Sequence, residues 1–568
     1  MSQTNHTAPW TAAPLQPAKP PEHHRETPAL GSDTPLPGHV FVVSDLHLAA
    51  GRAPVTGRVD PGENFFEDGS FERFLRGAWE RWAAGAPDGG RGRTPAGEGG
   101  ANPGGPPLLV LNGDTLDFTR LVRLPQDDAD LAAWSQAAVR AGLPAHETTI
   151  EALRRRIGPR ERRFGLGTSA VEAVWKVRTI IAGHPVFFRA LGWWVERGGH
   201  VLVIRGNHDL ELAWLAVQRA LLAAIAGGGP ALDVSTEVVT RVAERVSFED
   251  HGRVLGNVWL EHGHRFEPTT AVPGEADRPA QGDAAPAHPP TDPRDPEQLQ
   301  LPLGSLINIY LINPIERWRP LLDNIKPVES ALWAVFRYAP VASLGVLFRG
   351  ATWLPPALRR YHLKRRSAPA LAVYLTCVAV LWIAALGAST TMVVAVSGLL
   401  PTLTDWVTPR LGWFLLGFLL LWPTVGLARD AWRRLHPAAH DAYPRAARDA
   451  ALAALVGTDA ATGARLYAVV GHTHAQDARL YPAPQEVPGG PGRLGATPRE
   501  VVVLNTGTWI PIVDTSLPGA ASTLPRMRRP FVHLTLTHES GRPTYTHEHL
   551  QWDDARGEPA PSLLLARE

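Results

Sequence analysis

The chain has 568 residues, with 56 basic against 55 acidic side chains, a balance that excludes bulk electrostatic capture of nucleic acid. Its 44% hydrophobic and 20% charged composition excludes a wholly disordered polypeptide and allows roughly three or four domain-sized units. A single cysteine, Cys377, excludes an intramolecular disulfide and a thiolate zinc cluster, so the 22 histidines and the carboxylates are the metal ligands left to consider.

Residues 1–37 are polar and proline-rich, without a basic-then-apolar leader pattern, and are expected to form a disordered tail. The β-branched run 40–43 stops at Ser44-Asp45-Leu46-His47, and a helical pattern covers 71–82. Residues 84–107 are rich in glycine and proline and cannot bury enough apolar surface to order themselves. The run 108–111 ends in Asn112-Gly113-Asp114. Helical patterns at 129–140, 149–156 and 170–181 fill an insert of about 119–199, which carries Arg154-Arg155-Arg156 and the basic run 160–163. A solvated helix face explains those arginines; a cap that grips a phosphate is the sharper reading. The run 201–204 ends in Gly206-Asn207-His208-Asp209, ahead of a helical pattern at 210–226. Residues 254–260 read as one strand ending in Glu261-His262-Gly263-His264.

Residues 268–302 read as a flexible linker and 303–367 as an interfacial helical region, with 331–357 lying on a bilayer. Within it Asn308, Asn313, Asp323, Asn324 and Lys326 either cap helices or face a substrate. Residues 368–400 and 411–428 carry no charged side chain. At 1.5 Å per residue each can cross a bilayer core of about 30 Å, so a transmembrane hairpin is expected over 368–428. Arg359, Arg360, Lys364, Arg365 and Arg366 precede it and Arg429, Arg433 and Arg434 follow. The positive-inside rule then gives a cell-membrane protein of two spans, with everything outside the hairpin on the cytoplasmic side.

Residues 429–464 read as an amphipathic return segment. The run 467–470 ends in Gly471-His472-Thr473-His474, the run 501–504 follows another glycine- and proline-rich stretch, and 532–536 alternates as an outer strand would. Residues 551–568 read as a C-terminal tail. Continuous apolar runs suit strands buried on both faces, and their alternation with helices indicates α/β layering.

Singly, the polar clusters are weak signals. Gly113-Asp114 suits a turn and Asn207 a helix N-cap. Their shared context is stronger, because each follows an apolar strand and ligand sites in α/β sheets gather beyond the carboxyl ends of strands. In this order the blocks Asp45-Leu46-His47, Gly113-Asp114, Gly206-Asn207-His208-Asp209, His262-Gly263-His264 and Gly471-His472-Thr473-His474 resemble the calcineurin-like metallophosphoesterase superfamily. The 501–509 segment is similar to its closing strand and Asn-Thr-Gly turn. The resemblance covers about 38–267 and 465–550.

It implies an α/β/β/α sandwich of two mixed sheets, with the helical insert and the hairpin added. It further implies two divalent metal ions, Mn²⁺ first and Fe or Zn²⁺ as alternatives. Asp45, His47, Asp114 and His474 would hold one ion, and Asp114, Asn207, His262 and His472 the other, with Asp114 bridging. His208 would stabilise the transition state or protonate the leaving oxygen, with Asp209 fixing its tautomer. His264 is a supporting or substrate-facing candidate. The activity implied is hydrolysis of a phosphomonoester, phosphodiester or pyrophosphate by a metal-held hydroxide. A hairpin at the bilayer makes a lipid-linked phosphoester the economical substrate; a tethered enzyme for soluble nucleotides or phosphoproteins, and a non-catalytic membrane scaffold, are the alternatives. No feature specifies an oligomeric state.

Overall fold

The structure is a computed structural model. It describes residues 35–53, 56–84, 105–267, 269–272, 291–292, 295–317, 320–322, 324–326, 442–455, 464–482, 498–514, 525–539 and 542–562. Among these the strands are, in chain order, β1 (His39–Val43), β2 (Leu108–Asn112), β3 (His200–Ile204), β4 (Val246–Glu249), β5 (Arg253–Leu255), β6 (Val258–Leu260), β7 (Thr291–Asp292) and β8 (Asp295–Leu299). They continue with β9 (Ile325–Lys326), β10 (Arg465–Val470), β11 (Asp477–Pro482), β12 (Glu500–Asn505), β13 (Val513–Asp514), β14 (Pro530–Glu539), β15 (Arg542–Asp553) and β16 (Glu558–Pro561).

One sheet has the order β16-β15-β14-β1-β2-β3-β4 and a second the order β11-β12-β10-β6-β5. Strands β1 to β4 run parallel, whereas β14 joins β1 antiparallel. In the second sheet β6, β10 and β12 are parallel, with antiparallel strands at both edges. The described residues are thus α/β with two mixed sheets, an arrangement compatible with a two-sheet sandwich.

Side chains alternate between the faces of a strand, and here both faces are covered. Val40, Val42, Val110 and Leu202 of the larger sheet share one buried cluster with Val258, Leu260, Val469 and Leu504 of the smaller. The opposite face of the larger sheet, with Phe41, Val43, Leu109 and Val203, packs on Phe74, Trp134 and Trp194 of the helices Asp68–Ala84, Asp128–Arg140 and Pro185–Glu196. Helix Ala442–Leu455, part of the expected return segment, covers the outer face of the smaller sheet through Ala447, Ala451 and Leu455. Each fully buried Val or Leu contributes roughly 1.5–3 kcal/mol, which is why these strands carry no polar alternation.

Four expectations change. The 254–260 run is a hairpin: Gly256 adopts φ +53°, and Leu255 pairs with Val258 across the Gly256-Asn257 turn. The alternating 532–536 segment is an inner strand, flanked by β1 and β15; its polar His533 is buried by stacking on Phe41, ring centroids 4.6 Å apart. The stretch read as a C-terminal tail includes the end of β15 and the edge strand β16. Residues 303–317, placed in an interfacial region, form the short helices Leu303–Ile307 and Asn313–Glu316 joined by a π-type turn, and they dock on the loops beyond β2 and β3. No helix among the described residues is long and apolar enough to cross a membrane. The expected spans 368–400 and 411–428, and the stretch 331–357, lie outside the described residues.

Candidate metal centre

Parallel strands in register bring their carboxyl ends to one edge. Val43 lies opposite Leu111, Asn112 opposite Ile204, and Leu260 opposite Val469. Asp45, Asp114, His262 and His472 each stand two residues beyond their strand, and Asn207 three beyond β3. Backbone bonds lace these loops together: Asp45 N donates to Gly113 O (3.1 Å), His47 N to Asp114 O (2.9 Å) and Gly471 N to His262 O (3.0 Å). The segment after β12 adds to this lacing, with Thr508 Oγ1 donating to Asp45 O (2.7 Å) and Asn505 Nδ2 to Gly471 O (2.8 Å).

Seven non-glycine residues among those described have positive φ, and five are expected ligands: Asp45, His47, Asp114, His472 and His474, at 53°, 52°, 48°, 69° and 60°. Each such residue costs on the order of 1–3 kcal/mol. Their clustering marks a place where the fold is held against local preference. The motif glycines answer the same crowding. A methyl group on Gly113, itself at φ +82°, would overlap the His262 ring, and one on Gly206 would overlap the Asp114 carboxylate.

Three groups of side chains have ligand atoms within 4.8 Å of one another: Asp45, His47 and His474; His47, Asp114 and His208; Asp114, His262 and His472. In the first, His474 Nε2 lies 3.4 Å from Asp45 Oδ1 and 3.1 Å from His47 Nε2. In the last, His262 Nε2 is 3.1 Å from Asp114 Oδ2. Asp114 joins the groups, its Oδ2 also lying 4.0 Å from His47 Nε2. Buried nitrogen and carboxylate oxygen donors this close can hold a metal ion.

Two buried atoms give an independent test of that fit. Asn207 is 2% exposed, and its Oδ1 has no hydrogen-bond partner among the described residues. His262 Nδ1 hydrogen-bonds Asn112 O (2.9 Å), while its Nε2, facing Asp114, makes no hydrogen bond of its own. Such atoms are uncommon in native interiors, and a cation beside either would supply a partner. Burial acts to lower the pKa of the His262 imidazole, but the Asp114 charge overrides it and raises the value to about 10. A proton on His262 thus occupies the role a metal ion would take, and the two compete.

His208 lies at the rim, its side chain 14% exposed, with His474 at 22% beside it. Its tautomer is not fixed by Asp209, contrary to expectation. Asp209 turns inward and accepts backbone N–H bonds from Gly206 (2.6 Å), Thr115 (2.9 Å) and Leu116 (3.4 Å). A short buried carboxylate directly after the ring is better placed to cap its own loop than to reach back along the imidazole. The partner of His208 Nδ1 is instead Asp117 Oδ2, at 2.9 Å, and the same oxygen lies 3.0 Å from His47 Nδ1. Burial acts to lower the His208 pKa, yet the charges of Asp117 and Asp114 raise it to about 9. Burial likewise acts to raise the Asp117 pKa, and the His208 charge holds it well below the usual carboxylate range. Sequence reasoning missed Asp117; its trace is a second carboxylate three residues after Asp114 on one loop.

The other candidates are placed as follows. His264 is buried, its ring 5.6 Å from that of His262, and belongs to none of the metal groups. Three of the insert arginines are engaged within the fold: Arg154 with Asp128, Arg156 with Glu297, and Arg160 with the Tyr310 hydroxyl. Asn313 donates to Thr119 O (2.7 Å), and Asn324 is buried. Asp323 and the side chain of Lys326 lie outside the described residues. Beside His472 opens a cavity of about 550 Å³ lined by Phe266, Glu267, Tyr443, Thr473, Asp477 and Arg479.

No family model, no curated protein and no solved structure matches this chain.

Proposed function

We propose that the chain is a metal-dependent phosphoester hydrolase of the calcineurin-like kind, holding two divalent ions, Mn²⁺ foremost. The observation that carries this reading is the convergence of Asp45, His47, Asp114, His262, His472 and His474, from four strand ends, with Asp114 in two of the donor groups; Asn207 stands beyond a fifth strand end with its Oδ1 unpartnered among the described residues. Bound there, the ions would supply Lewis-acid charge for the phosphoryl oxygens and activate water for in-line attack. The protein's own part is positioning and proton transfer. With Nδ1 tied to Asp117, the His208 imidazolium presents Nε2 to a group at the rim. That contact steadies the ring so that a proton on Nε2 can serve the oxygen that leaves phosphorus.

Membrane anchoring and a lipid-linked substrate complete the proposal. They rest on the uncharged runs 368–400 and 411–428. The test is phosphate release by detergent-purified full-length protein with added Mn²⁺, comparing lipid-linked phosphoesters and pyrophosphates with soluble nucleotides. Turnover is expected with Mn²⁺ and is expected to vanish in Asp114→Asn while the fold is retained. Preference for soluble esters would remove the lipid assignment and leave the hydrolase. Metal-independent turnover, or near wild-type rates in Asp114→Asn, would remove the hydrolase assignment itself.

A further inference from the structure

The residues that hold His208 are themselves held from a distant part of the chain. Arg120 is 3% exposed and places Nε 3.3 Å from Asp117 Oδ2, the oxygen that receives His208 Nδ1. Its Nη1 donates to Glu316 Oε2 at 2.5 Å, and Glu316 is 1% exposed. Two neighbouring contacts join the same segments. Asn313 Nδ2 donates to Thr119 O (2.7 Å), and Thr119 Oγ1 lies 3.1 Å from His208 Nδ1. Ser305 Oγ donates to Asn207 O at 3.4 Å.

A buried ion pair is a poor device for stability, because desolvating both charges offsets most of their attraction. It does fix geometry, since a guanidinium between two carboxylates sets the position of both. It also divides charge. With Glu316 present, the Arg120 cation is shared between two carboxylates. Without it, Arg120 loses one of the carboxylates that hold it and pulls harder on the Asp117 oxygen that also receives His208.

We propose that Glu316 is a positioning residue: through Arg120 and Asp117 it orients the His208 imidazole, making the docked segment 303–316 an integral part of the proton-donating side of the site. This rests on the hydrolase reading above, and the two can fail separately.

The experiment uses the full-length protein with Mn²⁺ and a series of aryl phosphodiesters of rising leaving-group pKa. Glu316→Gln is compared with wild type and with Glu297→Gln, an exposed carboxylate paired with Arg156, as the control. If Glu316 positions the proton donor, kcat in Glu316→Gln falls about tenfold or more for the poorest leaving group and little for the best. KM stays within about twofold, since no phosphate-binding contact is removed. Bound metal per chain stays unchanged, and amide exchange quickens over 117–120 together with 303–316. Asn313→Ala, which cuts the neighbouring tether without changing charge, is measured in the same way in case Glu316→Gln does not fold, and it should move the same readouts in the same direction. An equal loss across the whole series, or no loss, would overturn the positioning role while leaving the hydrolase reading intact. A wild-type protein that binds metal but hydrolyses none of the esters would overturn the hydrolase reading, and this inference with it.

Discussion

Asp117 and Asp209 are both fully buried carboxylates within reach of the His208 loop, and they do opposite things. Asp117 faces imidazoles; Asp209 faces amides. Asp117→Asn, which keeps the side chain's size, should lose on the order of 10²-fold in kcat, since His208 Nδ1 loses its charged acceptor. Asp209→Ala should lower stability by roughly 2–4 kcal/mol, as three buried backbone donors lose their acceptor. Unfolding midpoints and kcat measured on both variants separate the roles, and the reverse pattern would restore Asp209 as the partner of His208. The candidate ligands could be picked out in sequence because each sits in a short local block beside a strand end. Asp117 was not, because a carboxylate three residues past a Gly-Asp turn looks like any other loop acid until His208, 91 residues on, is folded against it.

At the scale of elements, strands were read well wherever both faces are buried, since β1, β2, β3, β10 and β12 are continuous apolar runs. Reading failed where pairing decided the outcome, as in the β5–β6 hairpin and in β14, whose alternating pattern conceals a histidine buried by stacking. The loop after β1 shows another such dependence. Glu63 accepts backbone N–H bonds from Ala49 (3.1 Å) and Gly51 (2.6 Å) and lies 3.1 Å from His184 Nε2, while His184 Nδ1 is 3.1 Å from Asp68. Burial acts to lower the His184 pKa, but Glu63 and Asp68 raise it to about 9. A raised histidine pKa stabilises the fold fully below the unfolded value of about 6.5, and the contribution is lost as pH rises through about 9. Wild type should therefore exceed His184→Gln by on the order of 3 kcal/mol at pH 6, with the gap closing by pH 10. Denaturant titrations of both proteins across that range are the check, and a gap independent of pH would mean that folding leaves the His184 pKa unshifted.

For the molecule as a whole, the candidate metal centre draws on strand ends from both sheets, with its donor groups spread from Asp45 to His474. An ion that binds only the folded arrangement must stabilise the whole chain. At a hundred times its dissociation constant the gain is about 2.7 kcal/mol. Thermal unfolding of chelator-treated protein should accordingly shift upward on adding Mn²⁺, with the shift abolished in Asp114→Asn; an unchanged midpoint in wild type would count against a metal centre at this site. The site's donor types, their order and the strands that present them were determined by the sequence alone, because strand burial and ligand chemistry are both local properties of short segments. Only the tertiary structure decided which carboxylate holds His208, which segment holds that carboxylate, and that five ligands adopt left-handed backbone. Those outcomes depend on contacts between residues far apart in the chain, whose energies no local pattern of residues encodes.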